Sequence, residues 1–171
     1  MDIRAARSAD VIDIFNLVNL HAERGDVLPR AQTQIEATLS DWLVGSSDNK
    51  IVACVCLLRY NNNLAEVRSL IVADQMQGLG WGATLLEAII AEAKNRKIPR
   101  IFALTRAEPF FQRVGFTLSD RSNFPEKIWR DCDQCPVQDN CDEIAVELQL
   151  EKLPHLFQKP EQPDTFVLHK K

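Results

Sequence analysis

The chain has 171 residues and a mass of 19.4 kDa, with 46% hydrophobic and 26% charged residues, which suits one domain able to bury a core. Twenty Lys and Arg against 24 Asp and Glu leave a net charge of −4, against the basic excess of a non-specific nucleic-acid binder. The longest apolar run, residues 51–58, is far short of the ~20 a membrane helix needs, and five cysteines behind an N-terminus with no signal-like stretch point to free or metal-bound thiols in the cytoplasm.

Ile3 and Ala5 predict a short first strand, ended by Ser8 as a helix cap. Val11, Ile14, Phe15 and Val18 then repeat at helical spacing over 9–22. Residues 25–30 read as a loop, 33–39 as a second helix, and 41–44 and 51–60 as strands. Asn61, Asn62 and Asn63 read as a hairpin turn, since Asn tolerates left-handed backbone, and 65–73 as the returning strand. Leu79, Leu86, Ile89, Ile90 and Ala93 trace one face of a long helix that closes on Lys94, Arg96 and Lys97, cations suited to its negative end. A strand at 101–104, a short helix at 109–113, a strand from 116 and a last strand at 143–150 complete the order β-α-α-β-β-β-α-β-α-β-β. The expectation is one α/β domain over 1–152, followed at 153–171 by an irregular tail punctuated by Pro154, Pro160 and Pro163.

Three of only six glycines fall at 78, 80 and 82, where the 65–73 strand runs into the long helix. Glycines there let successive N–H groups share one concavity, and the helix start adds partial positive charge, so a phosphate or pyrophosphate is the natural ligand. The turn lacks the Lys-Ser/Thr of a P-loop, and its spacing does not fit Gly-x-Gly-x-x-Gly. Close packing alone is the competing explanation for such glycines.

Gln77-x-x-Gly80-x-Gly82 resembles the Gln/Arg-x-x-Gly-x-Gly/Ala signature of the GNAT acyltransferase superfamily, and Phe110-Phe111-Gln112-Arg113-Val114-Gly115-Phe116 is similar to its helix-to-strand segment ending in Gly-Phe. The resemblance covers about 1–150 and implies a mixed, mostly antiparallel sheet flanked by helices. It also implies an acetyl-CoA site, with Leu70, Ile71 and Val72 along pantetheine and Gln77, Gly78, Leu79, Gly80, Trp81, Gly82 and Ala83 around the pyrophosphate. Thr105-Arg106 and the run from Phe124 to Trp129 are similar to N-acetylglutamate synthase-like members, some of which carry an extension resembling Asp131-Cys132-x-x-Cys135-Pro136. That likeness implies a small-molecule amine acceptor, with L-glutamate first and no membrane or nucleic-acid partner. Acetylation of a protein or peptide amine is the alternative, and a non-catalytic acyl-CoA- or metal-binding module is the reading from another class. A homodimer is left open.

Acetyl transfer needs a base for the ammonium, donors for the oxyanion and a departing thiolate. Many GNAT enzymes place a tyrosine acid where this chain has Phe111, and the one tyrosine in the sequence is Tyr60. Glu66, early in the strand that leads to the turn, is the candidate base, with an ion pair to Arg59 across the Asn turn as the competing role. Arg68, Lys127 and Arg106 are candidates to grip substrate carboxylates, or else surface charges. Cys54 and Cys56 read as small core residues. Cys132, Cys135 and Cys141 have the spacing for a structural zinc, with Asp142, His155 or water as fourth ligand, or for free or redox-labile thiols. His21, His155 and His169 read as solvated.

Overall fold

Residues 1–133, 135 and 138–152 are described by a computed structural model; the expected tail at 153–171 lies outside them. Among the described residues seven strands form one sheet: Asp2–Ala5 (β1), Trp42–Ser47 (β2), Lys50–Asn61 (β3), Leu64–Val72 (β4), Arg100–Thr105 (β5), Thr117–Ser119 (β6) and Ile144–Gln149 (β7). Their order is β1-β2-β3-β4-β5-β7-β6, antiparallel throughout except where β4 meets β5. The helices are Val11–Ala22 (α1), Gln32–Ala37 (α2), Trp81–Asn95 (α3), Glu108–Gln112 (α4) and the single turn Pro125–Lys127 (α5). No described helix is long and apolar enough to cross a membrane.

Both faces of the central strands are covered, which explains why β3 is an almost unbroken apolar run rather than an alternating one. Val55, Leu57, Ala65 and Val67 meet the α3 face made by Leu85, Leu86, Ile89 and Ile90. On the other side Cys54, Cys56, Leu58 and Ile71 meet Ile14, Val18 and Ile35 of α1 and α2. Leu79 is not part of the α3 face: it precedes the helix and is exposed.

Local chemistry sets the turns. The β2–β3 hairpin turns on Asp48 and Asn49, both at positive φ (51° and 61°), where short polar side chains are tolerated. The Asn61 to Asn63 turn forms by another device. None of its residues has positive φ, and the Asn61 side-chain oxygen accepts the Asn63 N–H at 2.8 Å. Ser8 does not cap α1; the Asp10 carboxylate accepts the Arg7 N–H at 2.7 Å and pairs with Arg4 at 2.6 Å.

Candidate active site

A single extra residue opens the molecule. Between the pairs Cys54–Ile71 and Cys56–Arg68, β4 has one residue more than β3, and Ser69 absorbs the bulge at φ 51°. Beside it, the β4–β5 ladder stops after Leu64–Arg100, Ala65–Ile101 and Glu66–Phe102. The strands separate from there, and a cleft of about 710 Å³ runs from Glu66 along β4 to the start of α3, closed opposite by the end of β5 and by α4. The β4 edge beyond Glu66 therefore faces a cavity instead of a neighbouring strand.

At the α3 end the wall is backbone. Gly78 and Gly80 sit at φ 74° and 87°, a region side chains rarely adopt, and Gly80 caps the 15-residue α3. The first-turn N–H groups of α3 have no carbonyl one turn earlier in the helix and give its positive end. Gln77 braces the turn by donating to the Val72 carbonyl at 3.1 Å. Leu70, Val72, Gln77, Gly78, Gly80, Trp81, Gly82 and Ala83 line the cleft. Two expected contacts lie elsewhere: the bulge leaves Ile71 in the α1 core, and Leu79 points outward. Trp81 offers the cleft little side chain, because its indole is buried over Gly45, where a Cβ would come within 2.6 Å of the ring. Phe111 is buried edge-on to Phe110 and Phe116.

At the Glu66 end the wall is ionised side chain. Glu66 is 2% exposed, with Lys127 at 2.7 Å from one carboxylate oxygen and the Tyr60 hydroxyl donating to the other at 2.9 Å. Lys127 also reaches Asp131 at 2.8 Å, one helical turn on, and Arg68 and Arg30 approach Asp131 at 3.8 and 3.9 Å. Three cations thus face two carboxylates. Burial opposes the charge on Asp131, but Lys127, Arg30 and Arg68 outweigh it and hold the carboxyl below its usual range. Burial likewise opposes the charge of Lys127, and Glu66 and Asp131 more than restore it. Burial and then the Glu66 charge push the Tyr60 hydroxyl well up, so it stays a donor.

The expected Arg59–Glu66 ion pair does not form. The register sets Arg59 opposite Ala65 and Glu66 opposite Leu58, and Arg59 donates to Asn61 and Asn62 instead. Arg106 lines the cleft but is held outside the buried cluster by Asp142 at 2.5 Å and the Gly25 carbonyl at 2.9 Å. The zinc ligand set is not brought together: among the described residues no three His, Cys, Asp or Glu side chains could hold a metal ion, and Asp142 is paired to Arg106. Cys132 is buried beside Arg121, while Cys135 and Cys141 are partly exposed. His21 is not solvated: it is buried, with Nδ1 3.0 Å from Asp26. His155 and His169 lie outside the described residues.

Sequence reasoning missed Arg30, Tyr60, Asp131 and Ser69 as parts of this site. Asp131 left a usable trace in its four-residue spacing from Lys127. Arg30, in a loop, and Ser69, inside a strand, left none.

The profile of the acetyltransferase (GNAT) family matches residues 11–116. An uncharacterized N-acetyltransferase of Chlorobaculum tepidum is 34% identical over 144 residues, 84% of this chain and 93% of that protein. An amino-acid acetyltransferase of Actinobacillus pleuropneumoniae is 30% identical over 128 residues, and the match spans 74% of this chain but only 29% of that longer protein. Among solved structures, Rv2747 of Mycobacterium tuberculosis in complex with CoA superposes with a TM-score of 0.75 at 25% identity, covering 87% of this chain and 99% of that one. N-acetylglutamate synthase of Neisseria gonorrhoeae, complexed with coenzyme A and N-acetyl-glutamate, gives 0.75 at 27% identity, covering 87% of this chain and 35% of that one.

Proposed function

We propose that this chain, which belongs to the acetyltransferase (GNAT) family and is an N-acetyltransferase, uses acetyl-CoA to acetylate the α-amine of a small amino acid with a second carboxylate, L-glutamate first. The observation that carries the acceptor class is the buried cation excess at the Glu66 end of the cleft. A lysine-bearing peptide would bring a further cation to that cluster, whereas an amino acid brings the missing anion. The relatives point the same way, since amino-acid acetyltransferases and a synthase holding N-acetyl-glutamate stand among them.

In this reading the pyrophosphate lies on the Gly78–Gly80 turn and the start of α3, and pantetheine follows the β4 edge that β5 vacates. The acetyl carbonyl then reaches the main chain of the Leu70 to Val72 segment, where an N–H supplies the oxyanion donor. Glu66 takes the ammonium proton, the amine nitrogen bonds to the carbonyl carbon, and the adduct collapses: the carbon–sulfur bond breaks to release the CoA thiolate while the nitrogen gives its remaining surplus proton to water. Phe111 offers the sulfur no proton, so the thiolate leaves unprotonated or takes one from water. A thiol pKa of ~8.5 makes that departure feasible. Arg68 and Lys127 hold the acceptor's carboxylates.

A turnover panel of free amino acids and a lysine-bearing peptide with acetyl-CoA tests this. L-glutamate should be a good acceptor, and Arg68→Ala should raise its KM roughly 10-fold or more while the KM for acetyl-CoA stays nearly constant. Turnover of the peptide and of no amino acid overturns the acceptor assignment. Failure to bind acetyl-CoA at all overturns catalysis in favour of a different kind of module.

A further inference from the structure

Arg121 is a cation set against sulfur instead of carboxylate. Its half-buried guanidinium donates to the Cys132 sulfur at 4.0 Å, and among the described residues no carboxylate forms an ion pair with it. Burial opposes the Arg121 charge, and Cys141 and Cys132 more than restore it, so two of the three late cysteines meet one guanidinium. A thiol is a full counterion only once it has lost its proton, so a cation placed this way favours the thiolate. At Cys132 burial pushes the thiol up, and Arg121 and then Lys127 work against that push.

The backbone supplies a second thiol at the right distance. The Cys135 N–H donates to the Cys132 carbonyl at 3.0 Å. A bond of that kind closes a four-residue turn with its end Cα atoms within ~7 Å, and a disulfide spans ~4.4–6.8 Å between Cα atoms. Cys135 is partly exposed and Cys132 is buried, so one sulfur of the pair meets solutes and the other waits behind it. Cys54 and Cys56 are buried in the sheet, where burial pushes both thiols up, and take no part. Cys132 also ends the wide turn that carries Asp131, closed by the Asp133 N–H donating to the Ile128 carbonyl at 2.9 Å. Asp131 in turn holds Lys127 at 2.8 Å, so the buried cysteine is the next residue after the carboxylate at the centre of the cation cluster.

The geometry points to Cys132 and Cys135 as a redox-active dithiol that a low-molecular-weight disulfide oxidises to an intramolecular disulfide, and whose state sets how the Glu66 end of the cleft takes its acceptor. The coupling rests on the placing of the acceptor at that end; the thiol chemistry does not. The Cys135 thiolate attacks one sulfur of the small disulfide, a new bond to the Cys135 sulfur forms, the small molecule's own S–S bond breaks, and half of it leaves as thiolate. The Cys132 thiolate, favoured by Arg121, then attacks the Cys135 sulfur and expels the other half. The protein loses two protons and two electrons, and the small disulfide gains them as two thiols. Bonding Cys132 to Cys135 removes a thiolate from Arg121 and tightens the end of the turn that carries Asp131.

The test treats the full chain with oxidised glutathione and then with dithiothreitol, and follows mass, peptide map and turnover. Oxidation should remove the two hydrogens of one internal disulfide, and the map should join Cys132 to Cys135. C141S should oxidise as the wild type does, and C135S should form no internal disulfide. A link from Cys132 to Cys141, or a glutathione adduct that never resolves, overturns the pair. The acceptor KM should rise at least ~5-fold on oxidation and return with dithiothreitol, while the acetyl-CoA KM stays nearly constant and C135S shows no change. The acceptor used is L-glutamate, and the lysine-bearing peptide should glutamate fail. A disulfide that leaves the acceptor KM where it was overturns the coupling. Failure of glutamate alone overturns the acceptor assignment, and the peptide then decides this proposal.

Discussion

The two ends of the cleft are built from different materials. The α3 end is main chain: two left-handed glycines, a helix start, and a strand edge left open by a bulge. The Glu66 end is side chain, ionised except for Tyr60, drawn from the α1–α2 loop, β3, β4 and the α5 turn with the residues just after it, separated by about a hundred residues of sequence. A main-chain site recognises what every substrate of a family shares, in the proposed reading a pyrophosphate, and a contiguous motif encodes it. A side-chain site can be re-lettered residue by residue, which suits the part of the molecule that must choose an acceptor.

The largest expected effect separates the two ends outright. Gly80→Asp places a side chain on a backbone at φ 87° and a negative charge against the pyrophosphate, so acetyl-CoA binding and turnover should be lost together. Wild-type protein should gain about 2.7 kcal/mol from acetyl-CoA at a hundred times its Kd, and the variant should gain nothing. Calorimetric binding that survives the substitution would show that the turn is built for packing and not for phosphate.

Glu66→Gln attacks the other end and should leave acetyl-CoA affinity alone. The amide can still accept from Lys127, and Lys127 keeps Asp131, so the fold should persist. The expected loss is roughly 100-fold in kcat at neutral pH if Glu66 takes the ammonium proton. That deficit should shrink as pH rises and more of the amine is already neutral. Unaltered turnover at pH 7 would reduce Glu66 to a brace for Lys127 and Tyr60.

The same contrast explains what could be read in advance. The succession of strands and main helices along the chain, the long helix and the glycine turn rest on short-range patterns, namely apolar periodicity and glycine spacing, and all of them survive in the structure, which adds the α5 turn. Glu66, Arg68 and Lys127 were visible as charges in suggestive places, but their mutual distances were not, because the β4 register and the α5 turn jointly fix them. Arg59 shows the limit clearly: the Asn run predicts the hairpin, yet a register offset of one residue sends its side chain to Asn61 and Asn62 and gives Glu66 to Lys127. Arg30 had no local signal at all, since an arginine after a proline in a loop is ordinarily a solvated one.

The smallest effect asks whether the acceptor end also stabilises the fold, which the glycine turn at the other end has no charged group to do. Asp131 titrates below its usual range in the folded chain because, against the opposition of burial, Lys127, Arg30 and Arg68 favour its charge. A carboxyl whose pKa is lowered by folding contributes stability that is complete above its unfolded value, about 3.9, and fades as pH falls through the lower folded value. Asp131→Asn should therefore cost about 1.5–3 kcal/mol near pH 7, the range for hydrogen bonds to a charged partner. The gap between variant and wild type should start to narrow below about pH 4 and go on narrowing as the wild-type carboxyl takes up its own proton. Urea unfolding at pH 7 and again at pH 3 reads the difference on the two sides of the unfolded value, about 3.9, where it should be smaller at pH 3. A difference that stays constant between them would mean that shape, and not charge, holds Asp131 in place. The cations around it would then be held ready for an acceptor without Asp131 as their folded-state counterion.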